Sequence, residues 1–259
     1  MPKLSANETG VKIFDNPSQF NDTYKVTSFA CDIPIPSYLL AIAVGDLEYR
    51  SLGARVGIIT EPSQIEAAAT ELEDMGSMLD KVETYMGPYI WGNYTILILP
   101  PSFPFGGMEN PLLTFASPTI IVGDKSQVDV ATHEMAHSWT GNQVTCRNWQ
   151  YMWLNEGFTT FIEIKISSQI HGANFGKVEA LLGNSSLAIA IEDFGPDNSY
   201  GSLYPILDGD NPDNSYSTVP YDKGFQFLYY LESLVGEDAF RDFLRYYIQT
   251  NSLTSITTI

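Results

Sequence analysis

The sequence predicts an α+β fold with a β-rich start, a mixed α/β middle and a mainly helical second half. Three observations support this prediction. Residues 25–52 are rich in β-branched and apolar side chains, residues 61–87 carry apolar side chains at helical spacing, and three later segments follow helical patterns. With 259 residues, 44% of them hydrophobic, the chain can form one large domain, or one domain and part of another, around a sizeable core.

The first half is predicted to combine strands with one long helix. Strands are expected within residues 25–52, with an edge or a turn at Pro34 and Pro36. An amphipathic helix is expected over residues 61–87, because apolar side chains recur there every three or four residues and a Gly-Pro pair follows. The run YTILILPPSF predicts a short strand, and FPFGGMENPLLTFASPTIIV predicts another that is entered through a tight turn.

The second half is predicted to be helical. Ser126 and Asp129 form a capping-box pattern and Gly141 is a typical helix stop, so a helix is expected over residues 127–140. Another helix is expected over residues 154–170, and two more after Gly224. The final residues, NSLTSITTI, carry neither a cap nor a polar tail, which predicts the start of a further element.

Charge and composition exclude several functional classes. Lysine and arginine total 13 against 31 aspartates and glutamates, and the net charge of −18 would repel both nucleic acid and anionic membrane surfaces. No run approaches the roughly 20 apolar residues of a membrane span, and the first residues lack the apolar core of a secretory signal. Cys31 and Cys146 are too few for a disulfide framework. We therefore expect free thiols, a cytoplasmic location, and neither nucleic-acid nor membrane partners.

The segment HEMAH carries the strongest chemical signal. His133 and His137 stand four residues apart in a predicted helix, so their imidazoles project from one face and can bind one metal ion. Glu134 projects in another direction and can act as a general base without ligating the metal. The alternative is a pair of surface histidines that bind nothing, but the chain has only three histidines and two fall in this pattern. The third, His171, lies at a predicted helix end and is interpreted as structural.

A catalytic zinc site needs a third protein ligand and keeps one position open. The segment WLNEG supplies Glu156, which shares one helical face with Thr160 and Glu163. Because the flanking residues are mostly large and apolar, this helix has little polar surface to spare. We predict Glu156 as the third ligand of one zinc ion per chain. Glu163 either holds a ligand histidine from outside the metal shell or is an ordinary surface carboxylate.

The chain contains the motifs PIPSYLLAIAVGDLE, PPSFPFGGMENP, HEMAH followed after eighteen residues by the Glu of NEG, HSWTGN and YSTVPYDKG. Together they resemble the gluzincin zinc aminopeptidases, in particular their leukotriene A(4) hydrolase group. The resemblance covers nearly the whole chain. It implies a thermolysin-like catalytic domain, built of a mixed α/β lobe and a mainly α lobe, over residues 46–259. Residues 1–45 would be the C-terminal part of a preceding β-domain, and a helical domain would follow residue 259.

The resemblance also implies where the substrate binds. Glu109, in GGMEN, would hold the free amino group of a peptide, so that only its first peptide bond reaches the metal. Gly106, Gly107 and Met108 would run beside the substrate backbone, although two glycines alone are as often simply a turn. Phe105 matches the position of a pocket aromatic residue.

Three further residues acquire roles from the same resemblance. Tyr221, in VPY, would donate a hydrogen bond to the oxyanion of the tetrahedral intermediate, with Tyr216 as a secondary candidate. Asp213 matches an aspartate required for epoxide hydrolysis. We therefore expect a zinc aminopeptidase acting on peptides with a free amino terminus. The alternatives are a bifunctional aminopeptidase and epoxide hydrolase acting on leukotriene A(4)-like lipid epoxides, and a catalytically silent binding module.

Overall fold

The computed structural model describes residues 11–15 and 27–258 of the chain. The helices are α1 Ile65–Glu71, α2 Met75–Met86, α3 Val128–Ala136, α4 Trp153–His171, α5 Ala173–Phe194, α6 Val219–Val235 and α7 Glu237–Asn251. The strands are β1 Val11–Asp15, β2 Thr27–Cys31, β3 Glu48–Ser51, β4 Val56–Thr60, β5 Tyr94–Ile98, β6 Gly107–Met108, β7 Thr114–Ala116, β8 Val144–Cys146 and β9 Thr254–Ile256. The predicted mixture of strands and helices, with a mainly helical second half, is confirmed.

The central sheet has the strand order β3-β4-β5-β7-β6. Strands β4, β5 and β7 run parallel, whereas β3 and β6 pair antiparallel at the two edges. Every residue of β4 and β5 is buried, as expected of parallel strands covered on both faces. The short edge strand β6 is the Gly-Met of the GGMEN motif, so the predicted substrate-binding segment lies at the rim of this sheet.

Two buried tryptophans attach α3 to the sheet and its neighbours. Trp91 donates its indole N–H to the carbonyl of Ser138 at 2.9 Å, and Trp139 donates to the carbonyl of Gly87 at 3.1 Å. Both rings are at most 1% exposed. Because these bonds hold the turn that follows α3, they fix the helix that carries HEMAH relative to the sheet that carries GGMEN.

The first predicted helix is two helices, α1 and α2. The helix is interrupted between Glu71 and Met75. Residues at this interruption form tertiary contacts, which the spacing of apolar residues in the sequence cannot reveal. Glu71, at the end of α1, accepts backbone N–H groups of Gly123 and Lys125, and the Lys125 ammonium pairs with Glu73 and Asp74 inside the break. The prediction of one continuous helix over residues 61–87 is therefore wrong.

Other boundaries also differ from expectation. Helix α3 begins after Gln127 without a side-chain cap, so the predicted capping box does not form, and it ends at Ala136 rather than at residue 140. Helix α6 begins at Val219, with Pro220 in its first turn, rather than after Gly224. The last predicted element is β9, which pairs parallel with β8. Of the predicted β-domain tail over residues 1–45, residues 1–10 and 16–26 lie outside the described part.

The described residues contain no helix that is both long and apolar enough to cross a bilayer. Cys31 is exposed, Cys146 is buried and both are free thiols, as expected.

Candidate metal centre and active site

The predicted metal ligands meet where α3 packs against α4. The Nε2 atoms of His133 and His137 are 3.1 Å apart, and Glu156 Oε2 lies 3.4 Å from the first and 3.2 Å from the second. Ligands bound tetrahedrally at about 2.1 Å are about 3.4 Å apart, so this triangle has the dimensions of one face of a zinc tetrahedron. Two imidazoles and a carboxylate also match the ligands of catalytic zinc sites. The residues present fit the metal.

Each ligand histidine is fixed by a hydrogen bond on its outer nitrogen. His133 Nδ1 lies 2.8 Å from Glu163 Oε2, and His137 Nδ1 lies 2.8 Å from the carbonyl oxygen of Thr140. A carbonyl oxygen can only accept a hydrogen bond, so Nδ1 of His137 carries the proton. The Glu163 carboxylate is also an acceptor, so Nδ1 of His133 carries a proton in the same way. Both Nε2 lone pairs are thereby directed at the metal position.

A buried hydroxyl network surrounds His137. Thr159 Oγ1 lies 3.0 Å from His137 Nδ1, 2.8 Å from the Thr140 carbonyl and 2.7 Å from Thr140 Oγ1. Both threonines are fully buried. Gly141 completes this environment because its φ of +130° disfavours a side chain, and a Cβ there would lie 2.7 Å from His137 Nδ1. The sequence patterns did not predict that Thr140, Gly141 and Thr159 surround His137.

The electrostatics of the metal-free site favour protons on the histidines. Burial opposes charge on both, but Glu109 and Glu156 raise the pKa of His137 to about 9, and Glu156 and Glu163 raise the pKa of His133 well above its usual range. Burial also opposes charge on Glu156, yet the two imidazoles lower its pKa to about 2. A carboxylate and two imidazoles in contact therefore form one coupled unit.

Glu134 lies beside the ligands without belonging to the triangle. Its side chain packs against the backbone of Gly107, and its Oε2 is buried with no hydrogen-bond partner among the described residues. Burial raises the pKa of Glu134 to about 8; Glu109 and Glu156 add to the rise, and the two imidazoles oppose it. A buried carboxylate with one free oxygen and a pKa near neutrality is suited to exchange a proton with a water molecule.

Glu109 is a further buried carboxylate close to Glu134 and His137. It is 8% exposed, and its backbone carbonyl accepts a hydrogen bond from Asn142 Nδ2 at 2.8 Å. One carboxylate oxygen of Glu109, one of Glu134 and a ring nitrogen of His137 all lie within 4.8 Å of one another. The structure therefore brings a second carboxylate close to the metal ligands without making it part of their triangle.

Tyr221 approaches the site from the first turn of α6. Its ring is stacked on His133, with ring centroids 5.9 Å apart and planes inclined by 28°, and its hydroxyl lies 3.4 Å from that of Tyr216. Burial, together with Glu156 and Tyr216, raises the pKa of Tyr221 well above its usual range. Tyr221 is therefore a neutral phenol with a proton to donate.

The remaining predicted residues lie at the periphery. Phe105 is exposed and packs edge-to-face against Phe103 at 5.9 Å, and the carbonyl of exposed Gly106 accepts the N–H of Ser117. Met108 is half-buried in β6. Asp213 lies in the exposed turn Pro212–Ser215, where its side chain accepts a hydrogen bond from Asn211 at 3.4 Å.

Comparison with protein families identifies the family of this chain. A model of the peptidase family M1 domain matches residues 70–259. The chain belongs to peptidase family M1. This membership confirms the predicted family, and together with the ligand triangle it confirms zinc as the cofactor.

Curated relatives of this M1 chain include the leucine aminopeptidases 2 of Aspergillus clavatus and Pyricularia oryzae. The first is 46% identical over 217 residues, covering 83% of this chain and 35% of the relative. The second is 47% identical over 224 residues, covering 86% of this chain and 36% of the relative. The chain thus spans about a third of the length of these relatives.

Solved structures agree with the fold. The native leukotriene A4 hydrolase of Saccharomyces cerevisiae superposes with a TM-score of 0.87 at 38% identity, covering 97% of this chain and 40% of that chain. An M1 zinc metallopeptidase mutant from Deinococcus radiodurans, solved with a Tyr-Ser-Ala substrate, gives 0.75 at 24% identity, covering 96% and 54%. The latter similarity supports the fold alone.

Proposed function

We propose that this M1 chain carries the active site of a zinc-dependent aminopeptidase, which hydrolyses the first peptide bond of peptides with a free amino terminus. The observation that carries the proposal is the position of Glu109, whose carboxylate lies within 4.8 Å of Glu134 and His137 but outside the ligand triangle. A carboxylate placed there binds the substrate ammonium and fixes where the peptide begins.

Zinc and the protein's own side chains would supply different parts of the hydrolysis reaction. When bound by His133, His137 and Glu156, zinc supplies a Lewis acid for the scissile carbonyl and for the attacking water. Glu134 accepts a proton from that water on its free Oε2 and later passes it to the leaving amine. Tyr221, a neutral phenol stacked on His133, donates a hydrogen bond from its hydroxyl to the developing oxyanion.

The substrate backbone would lie along β6. Gly107 and Met108 form an edge strand with one side unpaired in the central sheet, which an extended peptide can join through backbone hydrogen bonds. Phe105, exposed beside this strand, would contact the substrate's first side chain.

Three predictions about the wider protein belong to the same proposal. Residues 46–259 form a thermolysin-like catalytic domain with a mixed α/β lobe and a mainly α lobe, and residues 1–45 end a preceding β-domain. The cytoplasmic location is retained as a prediction. Peptides are the proposed partners.

The deciding experiment compares two peptides that differ only in acetylation of the amino terminus, using the protein extended to its natural ends. We expect cleavage of the free peptide alone, and loss of that cleavage when a chelator removes zinc. Glu109→Gln should raise KM for the free peptide about 10- to 100-fold, because a charged hydrogen bond of about 1.5–3 kcal/mol is weakened.

A matched control is Glu66→Gln, which removes one negative charge at a side chain that is 79% exposed. It should leave KM unchanged. Equal cleavage of the free and acetylated peptides would identify an endopeptidase and overturn the proposal.

A second candidate is epoxide hydrolysis in addition to peptide cleavage. Two observations favour testing it: the yeast structural relative is named a leukotriene A4 hydrolase, and Asp213 lies in the turn that leads to Tyr216, whose hydroxyl contacts that of Tyr221. A lipid epoxide should then be hydrolysed by the full-length protein, and Asp213→Asn should abolish that activity while peptide cleavage persists. Loss of both activities together would show that Asp213 has no specific role in the epoxide reaction.

A further inference from the structure

Helices α4 and α6 touch backbone to backbone at two glycines. A Cβ added to Gly157 would lie 2.7 Å from the Cα of Gly224, 3.1 Å from its carbonyl carbon and 3.1 Å from the carbonyl oxygen of Pro220. A Cβ added to Gly224 would lie 2.7 Å from the Cα of Gly157. All of these obstacles are backbone atoms, which cannot rotate away as the end of a flexible side chain can. Any other residue at either position would separate the helices.

This contact adjoins the reacting groups on both helices. Gly157 directly follows the ligand Glu156, while Pro220, whose carbonyl rests against Gly157, directly precedes Tyr221. Gly224 lies one helical turn after Tyr221, on the same face of α6. The separation of the two helices at the glycines therefore sets the distance between Tyr221 and the one ligand on α4, Glu156.

The low helix propensity of glycine indicates that glycine at these two positions serves the contact between the helices. Glycine in a helix interior costs about 1 kcal/mol relative to alanine, so two glycines facing each other are unfavourable unless the contact has a use. Gly76 in α2 provides the contrast, because a Cβ there would meet nothing within 4 Å.

We propose that Gly157 and Gly224 are positioning residues for catalysis: their contact holds α6 close enough to α4 for the Tyr221 hydroxyl to reach the oxyanion. This inference rests on the proposed aminopeptidase function. It predicts that widening the contact displaces α6 with Tyr221 and slows the chemical step. Metal binding and peptide binding should stay intact, because Glu156 keeps its place on α4 while His133, His137 and Glu109 lie outside both helices.

The test uses the full-length protein and the variants Gly157→Ala, Gly224→Ala and Tyr221→Phe, with Gly76→Ala as the matched control. Bound zinc, circular dichroism, kcat and KM for a free-amino peptide are measured for each. Gly157→Ala should lower kcat about 100-fold, the effect of a misplacement of about 1 Å, with KM and zinc content nearly unchanged. Gly224→Ala introduces one close contact instead of three and should lower kcat less. Gly76→Ala should change none of the four quantities.

The double variants distinguish positioning from general packing. If the glycines act through Tyr221, then Gly157→Ala should have little further effect once Tyr221→Phe has removed the hydroxyl. Should the two losses multiply, or should the loss fall on KM or on zinc content, the inference is overturned. If Gly157→Ala does not fold, Gly224→Ala and its double variant with Tyr221→Phe decide between the same two outcomes.

The kcat of Tyr221→Phe distinguishes failure of this inference from failure of the proposed aminopeptidase function. A wild-type kcat for Tyr221→Phe would remove the oxyanion role of Tyr221, and the inference would fall while aminopeptidase activity stands. Absence of peptide cleavage by the unmodified protein would overturn the proposed function itself.

Discussion

Glu163 Oε2 lies 2.8 Å from His133 Nδ1, so the carboxylate of α4 orients the imidazole of α3 that we propose as a metal ligand. Glu163→Gln keeps an acceptor at this position but removes the charge that makes the imidazole a better ligand. We expect zinc affinity to fall about 10- to 100-fold, as measured by competition with a chelator of known affinity. Activity at saturating zinc should be far less affected.

The control for this prediction is Glu179→Gln. Glu179 belongs to the same acidic neighbourhood, since Glu163 and Asp129 contribute, after burial, to the raised pKa of its carboxyl. The described contacts give it no bond to His133. An equal fall in zinc affinity for both variants would mean that net charge, and not the contact with His133, sets the affinity.

Thr159 provides a second test of ligand orientation, because its hydroxyl joins His137 to Thr140. Thr159→Val conserves shape and leaves the buried Thr140 hydroxyl without this partner, at a cost of about 1–3 kcal/mol in the free energy of unfolding. Zinc affinity should fall about tenfold, since the Thr140 carbonyl still holds His137. Denaturant unfolding and chelator competition measure the two quantities.

The neighbouring Thr160 is a matched control. Its Oγ1 is buried and has no hydrogen-bond partner among the described residues, so Thr160→Val removes no bond. It should leave zinc affinity unchanged and should not destabilise the fold. If Thr159→Val behaves like Thr160→Val, the hydroxyl network does not orient His137.

Metal binding should depend on pH because protons and zinc compete for the same Nε2 lone pairs. Despite burial, Glu109 and Glu156 raise the pKa of His137 to about 9, and the carboxylates beside His133 raise its pKa as well. A raised pKa keeps the proton on at neutral pH. Zinc affinity should therefore increase as the pH rises towards about 9, and binding at pH 7 should release protons.

Calorimetry in buffers of different ionisation enthalpy measures this release. We expect about one proton or more per zinc ion at pH 7. The two Nε2 atoms are only 3.1 Å apart, so the histidines do not both carry a full charge, and the release is shared by the coupled unit. A binding heat that is the same in every buffer would contradict the raised pKa values.

The sequence predicted those parts of the site that depend on local spacing. His133 and Glu134 lie in α3, His137 caps its C-terminal end, and Glu156 lies in the first turn of α4, so helical periodicity and ligand chemistry were enough to propose them. By contrast, Thr140 and Thr159 come together only when α4 packs beneath the turn after α3. Thr140 stands in the motif HSWTGN, but nothing in the sequence shows that either threonine reaches His137.

Helix α5 and strand β4 were not predicted, because neither shows the sequence pattern expected of a helix or strand with one exposed face. Helix α5 carries apolar side chains on more than one side and leaves Val178, Leu181 and Ile189 exposed, so no clear division into an apolar and a polar face marked it in the sequence. Strand β4 is buried along its whole length and therefore lacks the alternation that marks a half-exposed strand. Gly157 and Gly224 stand in motifs that were recognised, but their mutual contact depends on the crossing of two helices.

The last prediction concerns Glu71, which connects the end of α1 to the loop before the metal-binding helix α3. Its carboxylate is 2% exposed and accepts the N–H groups of Gly123 and Lys125, each at 2.8 Å. A glutamine can satisfy only one of these donors, because its amide nitrogen is itself a donor. Glu71→Gln should therefore lower the free energy of unfolding by about 1–3 kcal/mol in urea titrations.

Glu66→Gln, on the same helix, separates this contact from a general effect of charge. Glu66 lies at the surface in an ion pair with Arg50, so its replacement should leave the urea midpoint unchanged. Both variants remove one negative charge from a chain of net charge −18, and relief of repulsion would stabilise both alike. A midpoint that falls only for Glu71→Gln would establish that this buried carboxylate anchors the loop. Equal midpoints would mean that the loop before α3 is held by its other contacts.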